Sequence, residues 1–148
     1  MNIYELAAIT VATVLGVDAL IHVYWMTGRT WPARDARALS RVVLNTDVPF
    51  TPPLLAPLVV VLGVGATVVL IQAGLLDAWL AAWLPGWIPS AGTLAVAVGT
   101  FLRAGAGIIW VAGVGASRDS AFYRLNLTVY TPVCLVVCGA ATAVLAHG

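Results

Sequence analysis

The chain has 148 residues, of which 61% are hydrophobic and only 9% are charged. Soluble domains carry about 25% charged residues, so this composition excludes an ordinary soluble protein and predicts an integral membrane protein. The net charge is +1 and all seven basic residues are arginine, too few and too scattered for a basic face that binds nucleic acid. The length predicts a single domain, residues 1–148.

Four apolar segments follow one another along the chain, at residues 4–27, 53–76, 91–116 and 126–146. Each is long enough to cross about 30 Å of hydrocarbon as a helix. The pattern predicts an all-α fold, an integral membrane four-helix bundle. No basic region or cleavage site precedes the first segment, so we interpret it as a span and not as a cleaved signal peptide.

Arginine is distributed unevenly over the three connections between these segments. The first connection contains four arginines, the third contains two and the second contains none. By the positive-inside rule, the first and third connections lie in the cytoplasm. We therefore expect a multi-pass protein of the inner (cytoplasmic) membrane with both termini outside the cytoplasm.

The second half of the first segment carries a polar stripe. Asp18, His22, Trp25 and Arg29 follow a 4-3-4 spacing, which places them on one face of a helix. Ionisable groups are costly when they face lipid, so we expect this face to contact protein or trapped water. Asp18 and His22 are the acid–base candidates.

The first connection has a helical pattern of its own. In residues 31–41, Arg34, Arg37 and Arg41 lie on one side of a short amphipathic segment. This segment either touches anionic head groups or forms a lid over a cavity that faces the cytoplasm. Both interpretations remain open.

The second connection contains three tryptophans. Trp79 and Trp83 share one helical face, and Trp87 follows a Pro-Gly break. This pattern predicts a short outer interfacial helix, and we interpret it as a membrane anchor in the aromatic belt.

Small residues are concentrated in the second and third segments. Gly63, Gly65, Gly105 and Gly107 allow helix backbones to approach closely. We therefore expect a tightly packed bundle.

The third segment carries Arg103 near its middle. By the helical rise its depth differs from that of Asp18 by about 6 Å, which an arginine side chain can span. We predict an Asp18–Arg103 ion pair, direct or bridged by water, because a lone arginine at this depth is costly. Such a pair either locks two helices together or belongs to a functional site.

Further polar and aromatic residues are predicted at the same layer. Trp110 follows Arg103 by seven residues, and Asn126 and Tyr130 lie at the start of the fourth segment. We expect a pocket that opens towards the inner leaflet, with a few polar groups and aromatic walls. The expected lining is Asp18, His22, Trp25, Arg103, Trp110, Asn126 and Tyr130.

The two cysteines, Cys134 and Cys138, lie one helical turn apart in the fourth segment. The four-helix vitamin K epoxide reductases use a CxxC pair with partner cysteines in a loop, and this chain has neither, so we favour core packing. The histidines, His22 and His147, lie towards opposite ends and do not suit haem. We expect no metal and no cofactor.

Three elements of the sequence carry a family resemblance. They are His22-Val-Tyr24-Trp25-Met-Thr-Gly28, then Arg103 with Trp110 seven residues later, then Tyr130-Thr131-Pro132-Val-Cys134. Together they resemble a family of small bacterial four-helix membrane proteins catalogued as a domain of unknown function. The resemblance implies the four-helix fold and supports the choice of site residues, and it implies no reaction.

Two positions depart from the pattern of this family. Gly107 stands where members often carry an acid, and Asn126 stands where they often carry aspartate. These differences either leave Asp18 as the only carboxyl within the membrane or mark a specialised member.

The leading hypothesis is a membrane-embedded acid–base enzyme. It would be a cofactor-independent isomerase or cyclase acting on a lipophilic substrate, such as an isoprenoid or polyketide chain. Asp18, His22 and Tyr130 are its expected catalytic residues, because side chains of these types can transfer protons. The residues expected to bind the substrate are Trp25, Arg103, Trp110 and Asn126, with aromatic faces that stabilise cationic carbon.

Two other functions stay open. A non-catalytic lipid-binding or accessory subunit would use the Asp18–Arg103 pair only for structure. A small transporter would require an oligomer, because four helices rarely enclose an alternating path. A homo-oligomer is left open in each case, and the expected partners are a lipophilic small molecule or lipid and the bilayer.

Overall fold

The computed structural model describes residues 2–76, 79 and 82–147, and these residues contain helices and no strand. The helices are α1 (Ile3–Met26), α2 (Ala36–Leu44), α3 (Pro52–Gln72), α4 (Trp87–Val111), α5 (Ala121–Leu125) and α6 (Thr131–Leu145). A π-helical turn, Asn126–Tyr130, joins α5 to α6.

Four helical stretches of the described chain are long and apolar enough to cross a membrane. They are α1, α3, α4 and the continuous stretch Ala121–Leu145, which we call the fourth span. The predicted all-α four-helix bundle is confirmed.

The third and fourth spans begin and end earlier than predicted. α4 ends at Val111 and not at residue 116, because Gly113 and Gly115 adopt left-handed backbone conformations with φ of 92° and 77°, which terminate a helix. The fourth span begins at Ala121 and not at residue 126, because the Ser120 side chain accepts a hydrogen bond from the Tyr123 backbone N–H (3.1 Å) and caps the helix.

The spans are arranged around the bundle in the order α1, α3, α4 and α6. The most extensive contacts join α1 to α3 and α4 to α6, so α1 and α4 lie diagonally opposite each other. Val11, Val69, Ala97 and Val137 belong to the main core cluster, which joins α1, α3, α4 and α6. This cluster lies away from the Arg-rich end, the name used here for the end formed by residues 27–51 and 112–120.

Close approach of α3 and α4 occurs where a glycine of one helix meets a valine of the other. A Cβ atom on Gly92 would lie 2.7 Å from Val68 Cγ2, and one on Gly65 would lie 3.1 Å from Val96 Cγ2. By contrast, a Cβ atom on Gly63 would meet nothing within 4 Å. The expected tight packing is therefore confirmed at Gly65 but not at Gly63.

The amphipathic segment predicted for residues 31–41 is helical only in part, as α2 at the Arg-rich end, and Arg34 lies before the helix begins. The Asp35 carboxylate caps it by accepting a hydrogen bond from the Ala38 N–H (2.8 Å), and Leu39 is buried against Trp25. Asn45 follows the helix, and its side-chain amide donates to the Gly115 carbonyl oxygen (2.8 Å). This bond ties the first connection to the third.

The predicted outer interfacial helix falls partly on residues 77, 78, 80 and 81, which lie outside the described residues. The rings of Trp79 and Trp83 meet edge to face with centroids 6.3 Å apart, and both side chains are exposed. Trp87 is the first residue of α4 and not part of a separate helix.

Candidate functional site

A cavity of about 1390 Å³ lies among the four spans. Aliphatic side chains form most of its wall, and Val60, Val61 and Val64 on this wall are each more than half exposed, so the cavity opens through the side of the bundle. The polar and aromatic residues that border it are Asp18, His22, Tyr24, Trp25, Trp31, Thr100, Arg103, Tyr130 and Cys134.

The first connection covers the Arg-rich end of this cavity. Trp31, Val43 and Leu44 border the cavity from this connection. The indole N–H of Trp25 donates to the Trp31 carbonyl oxygen (3.0 Å) and fixes this cover to α1. Of the two interpretations of this segment, the contacts therefore favour the lid.

Three polar groups border the cavity at one level. Asp18 and Arg103 each lie eight residues from the Arg-rich end of their helix, and Tyr130 lies nine residues from that end of the fourth span. The helical rise places all three about 12–14 Å from the helix ends. The earlier end of α4 removes the depth difference predicted between Asp18 and Arg103.

His22 is the buried base candidate of the site. Its Nδ1 lies 2.8 Å from the Asp18 carbonyl oxygen and 3.4 Å from Asp18 Oδ1. A carbonyl oxygen can only accept a hydrogen bond, so Nδ1 must be the donor and carry the hydrogen. In the neutral ring Nε2 is then the hydrogen-bond acceptor. The residue is 8% exposed and borders the cavity, and Nε2 has no hydrogen-bond partner among the described residues.

The surroundings of His22 differ on its two sides. The Trp25 ring meets it edge to face with centroids 5.0 Å apart, and Trp25 in turn contacts the Phe50 ring at 5.5 Å. The Asp18 side chain is 48% exposed. An aromatic wall therefore restricts the imidazole, while the carboxylate next to Nδ1 remains accessible.

Arg103 is held by an amide and two aromatic rings. Its Nη1 donates to Asn126 Oδ1 (3.2 Å), and its Cζ lies 5.1 Å from the Trp110 ring centroid and 5.6 Å from that of Tyr130. The predicted direct ion pair with Asp18 is wrong. The two residues border the same cavity from α1 and α4, which lie diagonally opposite each other.

The position of Asn126 follows from the π-helical turn. Pro132 has no backbone N–H and cannot form the α-helical bond to residue 128. The Thr131 N–H, one residue before this proline, donates to the Asn126 carbonyl oxygen five residues back, where a regular α-helix would use residue 127. This wider turn brings the Asn126 side chain against α4, where it is fully buried and its amide donates to the Gly107 carbonyl oxygen (2.8 Å).

Two of the residues predicted to line the pocket lie behind its wall. Asn126 and Trp110 contact Arg103 but do not border the cavity. Trp110 packs edge to face on Phe122, with centroids 5.0 Å apart. Both residues therefore position the guanidinium and are not placed to contact a molecule in the cavity.

The predicted stripe on α1 is shorter than its spacing suggested. α1 ends at Met26, so Arg29 lies beyond the helix. The Arg29 Cζ lies 5.9 Å from the Tyr24 ring centroid, away from Asp18 and His22. The stripe therefore ends at Trp25.

The chain matches the family described as "Protein of unknown function (DUF3995)" over residues 15–141. It belongs to the DUF3995 family. The match contains every residue of the site described above, from Asp18 to Cys134, and confirms the family predicted from three sequence elements. No curated protein and no solved structure matches the chain.

Besides Tyr24 and Trp31, two further polar residues of this DUF3995 protein border the cavity without having been chosen as site residues from the sequence. Cys134 lies one turn after Tyr130, and Thr100 lies one turn before Arg103. Helical spacing from a chosen residue would have identified both. Cys138 borders a second groove of about 260 Å³ instead, so the two cysteines do not share a site.

The described residues of the DUF3995 chain contain no group of three His, Cys, Asp or Glu side chains that could hold a metal ion. The site contains an Asp18–His22 pair on α1 and an Arg103–Tyr130 pair across the cavity. Such an arrangement can transfer a proton on one side and attract an anion on the other.

Replacing Gly107 with alanine should destabilise this DUF3995 protein by about 1–3 kcal/mol through overpacking. A Cβ atom there would lie 3.1 Å from Thr131 Cβ and 3.2 Å from Asn126 Oδ1, and closer still to the Thr131 hydroxyl. The matched control is Gly105→Ala on the same helix, where a Cβ atom meets nothing within 4 Å. Thermal unfolding in detergent measures both, and equal melting temperatures would contradict the packing described here.

Proposed function

We propose that this protein is a membrane-embedded acid–base enzyme, an isomerase or cyclase that moves a proton on a lipophilic substrate. The observation that carries the proposal is the buried His22 residue at the cavity wall: Asp18 holds its Nδ1, and its Nε2 has no hydrogen-bond partner among the described residues. A histidine held in one tautomer by a second group is the usual arrangement of a general base.

The proton transfer can be written with residues of this site alone. His22 Nε2 removes a proton from a carbon of the substrate next to a double bond or carbonyl group. The Asp18 carboxylate near Nδ1 stabilises the imidazolium that forms. The imidazolium then returns the proton to another carbon. Alternatively, the Tyr130 hydroxyl donates its own proton and regains one from the imidazolium, through water, before the next turnover. In both cases one C–H bond breaks, one forms and no redox partner is needed.

The cavity wall favours a lipophilic substrate. Its volume of about 1390 Å³ exceeds the range of about 300–1,000 Å³ typical of small-molecule pockets. The wall is mostly aliphatic, with Trp25 and Tyr130 as aromatic faces that stabilise positive charge on carbon. An isoprenoid or polyketide chain meets these conditions.

The proposal includes a location in the membrane. Five of the seven arginines belong to the two connections of the Arg-rich end, and a sixth, Arg124, lies in the part of the fourth span next to it. The connection at the other end has none. We place the Arg-rich end in the cytoplasm and both termini outside it, in the inner membrane. The substrate would then enter sideways from the cytoplasmic leaflet.

A second candidate is a lipid-binding or accessory subunit without catalysis. The bonds from Asn126 to Arg103 and Gly107 support it, because they join the fourth span to α4 and give Arg103 a structural role. Under this alternative, a lipid would co-purify unchanged, and His22 would be replaceable.

Solvent deuterium incorporation tests the enzyme proposal even while the substrate is unidentified. The purified protein is incubated in D2O with lipids extracted from the membranes of its source cells, and mass spectrometry searches for carbon-bound deuterium. We expect at least one lipid species to gain deuterium over time, beyond the level in a protein-free sample. A folded protein that labels no lipid would contradict catalysis and favour the accessory subunit.

A further inference from the structure

The charge of Arg103 is not neutralised by any carboxylate within ion-pair distance in the described part of the chain. A guanidinium has five N–H donors. Its hydrogen bond to a described residue goes to Asn126 Oδ1, a neutral acceptor, at 3.2 Å. Arg103 is partly buried within a membrane-spanning helix, and a cation in that position normally pairs with an anion because removing it from water is costly. The cavity that Arg103 borders is where such an anion would lie.

The Arg103 side chain is held in position before any ligand binds. The Trp110 and Tyr130 rings flank the guanidinium, with centroids 5.1 Å and 5.6 Å from Cζ, and Asn126 fixes one of its nitrogens. The planar donors of arginine match a carboxylate or phosphate well. Little side-chain entropy remains to be lost when an oxyanion binds, which favours affinity.

The two sides of the cavity carry opposite charges. Asp18 borders the cavity on α1, and Arg103 borders it on the diagonally opposite α4. A negative group near Asp18 would be repelled, whereas the same group near Arg103 would be attracted. A ligand with one anionic end therefore has one favoured orientation, with its uncharged part towards His22.

The depth of Arg103 excludes a phospholipid in its ordinary position. By the helical rise, the Arg103 backbone lies about 12 Å from the end of α4 at the Arg-rich end. Phospholipid head groups lie at the interface, outside the hydrocarbon core. An anion at this depth must belong to a molecule that enters the cavity, and the aliphatic wall requires the rest of that molecule to be apolar.

We infer that the cavity binds a single-chain amphiphile whose oxyanion head, a carboxylate or a phosphate, is bound by Arg103. The hydrocarbon chain lies along the aliphatic wall formed by α3 and the fourth span. This inference names the substrate class of the proposed enzyme. The claim that the bound amphiphile reacts rests on the proposed function. The binding itself does not depend on catalysis.

Comparison of a charged and a neutral ligand with the same chain tests the head-group preference. The probes are oleate and oleyl alcohol, each titrated into the detergent-purified protein and measured as 1:1 complexes by native mass spectrometry. We expect oleate to bind at least about 10-fold more tightly, as for hydrogen bonds to a charged group. Equal affinities for the two probes would overturn the inference, and this comparison needs no variant.

A second comparison separates an amphiphile from a free anion. Dodecyl phosphate, laurate and inorganic phosphate are each used to displace oleate. Displacement by either of the chain-bearing anions, and not by inorganic phosphate, is the expected result, and the stronger of the two identifies the head group. If inorganic phosphate displaces oleate as well as dodecyl phosphate does, the site is a simple anion site and the inference fails.

Variants of Arg103 should remove the preference for the anion. We expect Arg103→Gln to weaken oleate binding about 10-fold while oleyl alcohol binding changes less than about 2-fold. Arg37→Gln, on the exposed face of α2, is the matched control and should leave both affinities unchanged. An unchanged preference for oleate in folded Arg103→Gln protein would overturn the assignment of Arg103.

A third variant keeps the guanidinium and supplies it with an anion. In Asn126→Asp the new carboxylate occupies the position from which Asn126 Oδ1 now accepts the Arg103 hydrogen bond. The preference for oleate over oleyl alcohol should fall towards that of the Arg103→Gln protein, although Arg103 is still present. A full preference for oleate in this variant would contradict the view that an unneutralised charge creates it.

The test of this inference is separate from the test of the proposed function. His22→Gln removes the proposed base on α1 and leaves Arg103 on α4 intact, so it should still prefer oleate over oleyl alcohol. If oleate binds as expected but no lipid gains deuterium, the site is a binding site only. If deuterium is incorporated but oleyl alcohol binds as well as oleate, the enzyme proposal stands and the head-group inference fails.

Discussion

His22→Gln should lower deuterium incorporation into the lipid substrate by at least about 100-fold, the lower end of what a positioned general base contributes. Glutamine can occupy similar space and donate to the Asp18 carbonyl oxygen, which now lies 2.8 Å from His22 Nδ1. Its amide cannot accept a proton near neutral pH, so the base is lost while the local hydrogen bond is kept. The measurement is the rate of carbon-bound deuterium gain by mass spectrometry.

His147→Gln is the matched control for this prediction. His147 is the other histidine of the chain, and it is exposed at the far end of the bundle, with its ring stacked on Tyr4 at 3.5 Å. Its replacement should leave the rate unchanged. A His22→Gln protein that unfolds at the wild-type temperature and retains the full rate would rule out His22 as the base.

Asn126→Leu should destabilise the protein by about 2–4 kcal/mol, the largest stability effect we expect from one side chain. Leucine has a similar size but makes none of the three hydrogen bonds of the Asn126 side chain. These bonds go to Arg103 Nη1 (3.2 Å), the Gly107 carbonyl oxygen (2.8 Å) and the Thr131 hydroxyl (3.3 Å). Each buried group left without a partner costs about 1–3 kcal/mol, and more when it is charged.

Unfolding in detergent measures this loss, with Asn45→Gly as the control, because glycine removes the side chain and tolerates the left-handed backbone of this position (φ 58°). Asn45 also bonds a distant backbone carbonyl, that of Gly115, but its side chain is exposed and water can replace the bond. We expect the control to lose less than about 1 kcal/mol. Equal stabilities of the Asn126→Leu and wild-type proteins would show that the buried bonds contribute little.

Helical periodicity identified the residues of the site that lie on one helix. Asp18, His22 and Trp25 were placed on a common face by their spacing, and all three border the cavity. The pair formed by Asp18 and His22 depends only on a separation of four residues, which brings side chains together on any α-helix. Contacts of this local kind can be predicted because the geometry of the helix alone decides them.

Contacts between helices were predicted less well. The direct Asp18–Arg103 pair was inferred from similar depths, yet depth does not reveal which helices are neighbours. The spans are ordered so that α1 and α4 lie diagonally opposite each other, and Asn126 is the partner of Arg103. Likewise Gly105 and Gly107 looked equivalent in sequence, but only Gly107 lies against another helix.

The sequence by itself determined the four apolar helices, the family and the residues on the polar face of α1, because hydrophobicity and helical spacing are local properties. Only the tertiary structure decided the end of α4, the inward turn of Asn126 and the separation of Asp18 from Arg103 by a cavity. Those features depend on backbone conformation at two glycines, on the π-helical turn before Pro132 and on the order of helices around the bundle. The two glycines and Pro132 are local features whose effect on the backbone the hydrophobic pattern does not show. The order of the helices results from packing between distant parts of the chain, which no short-range pattern records.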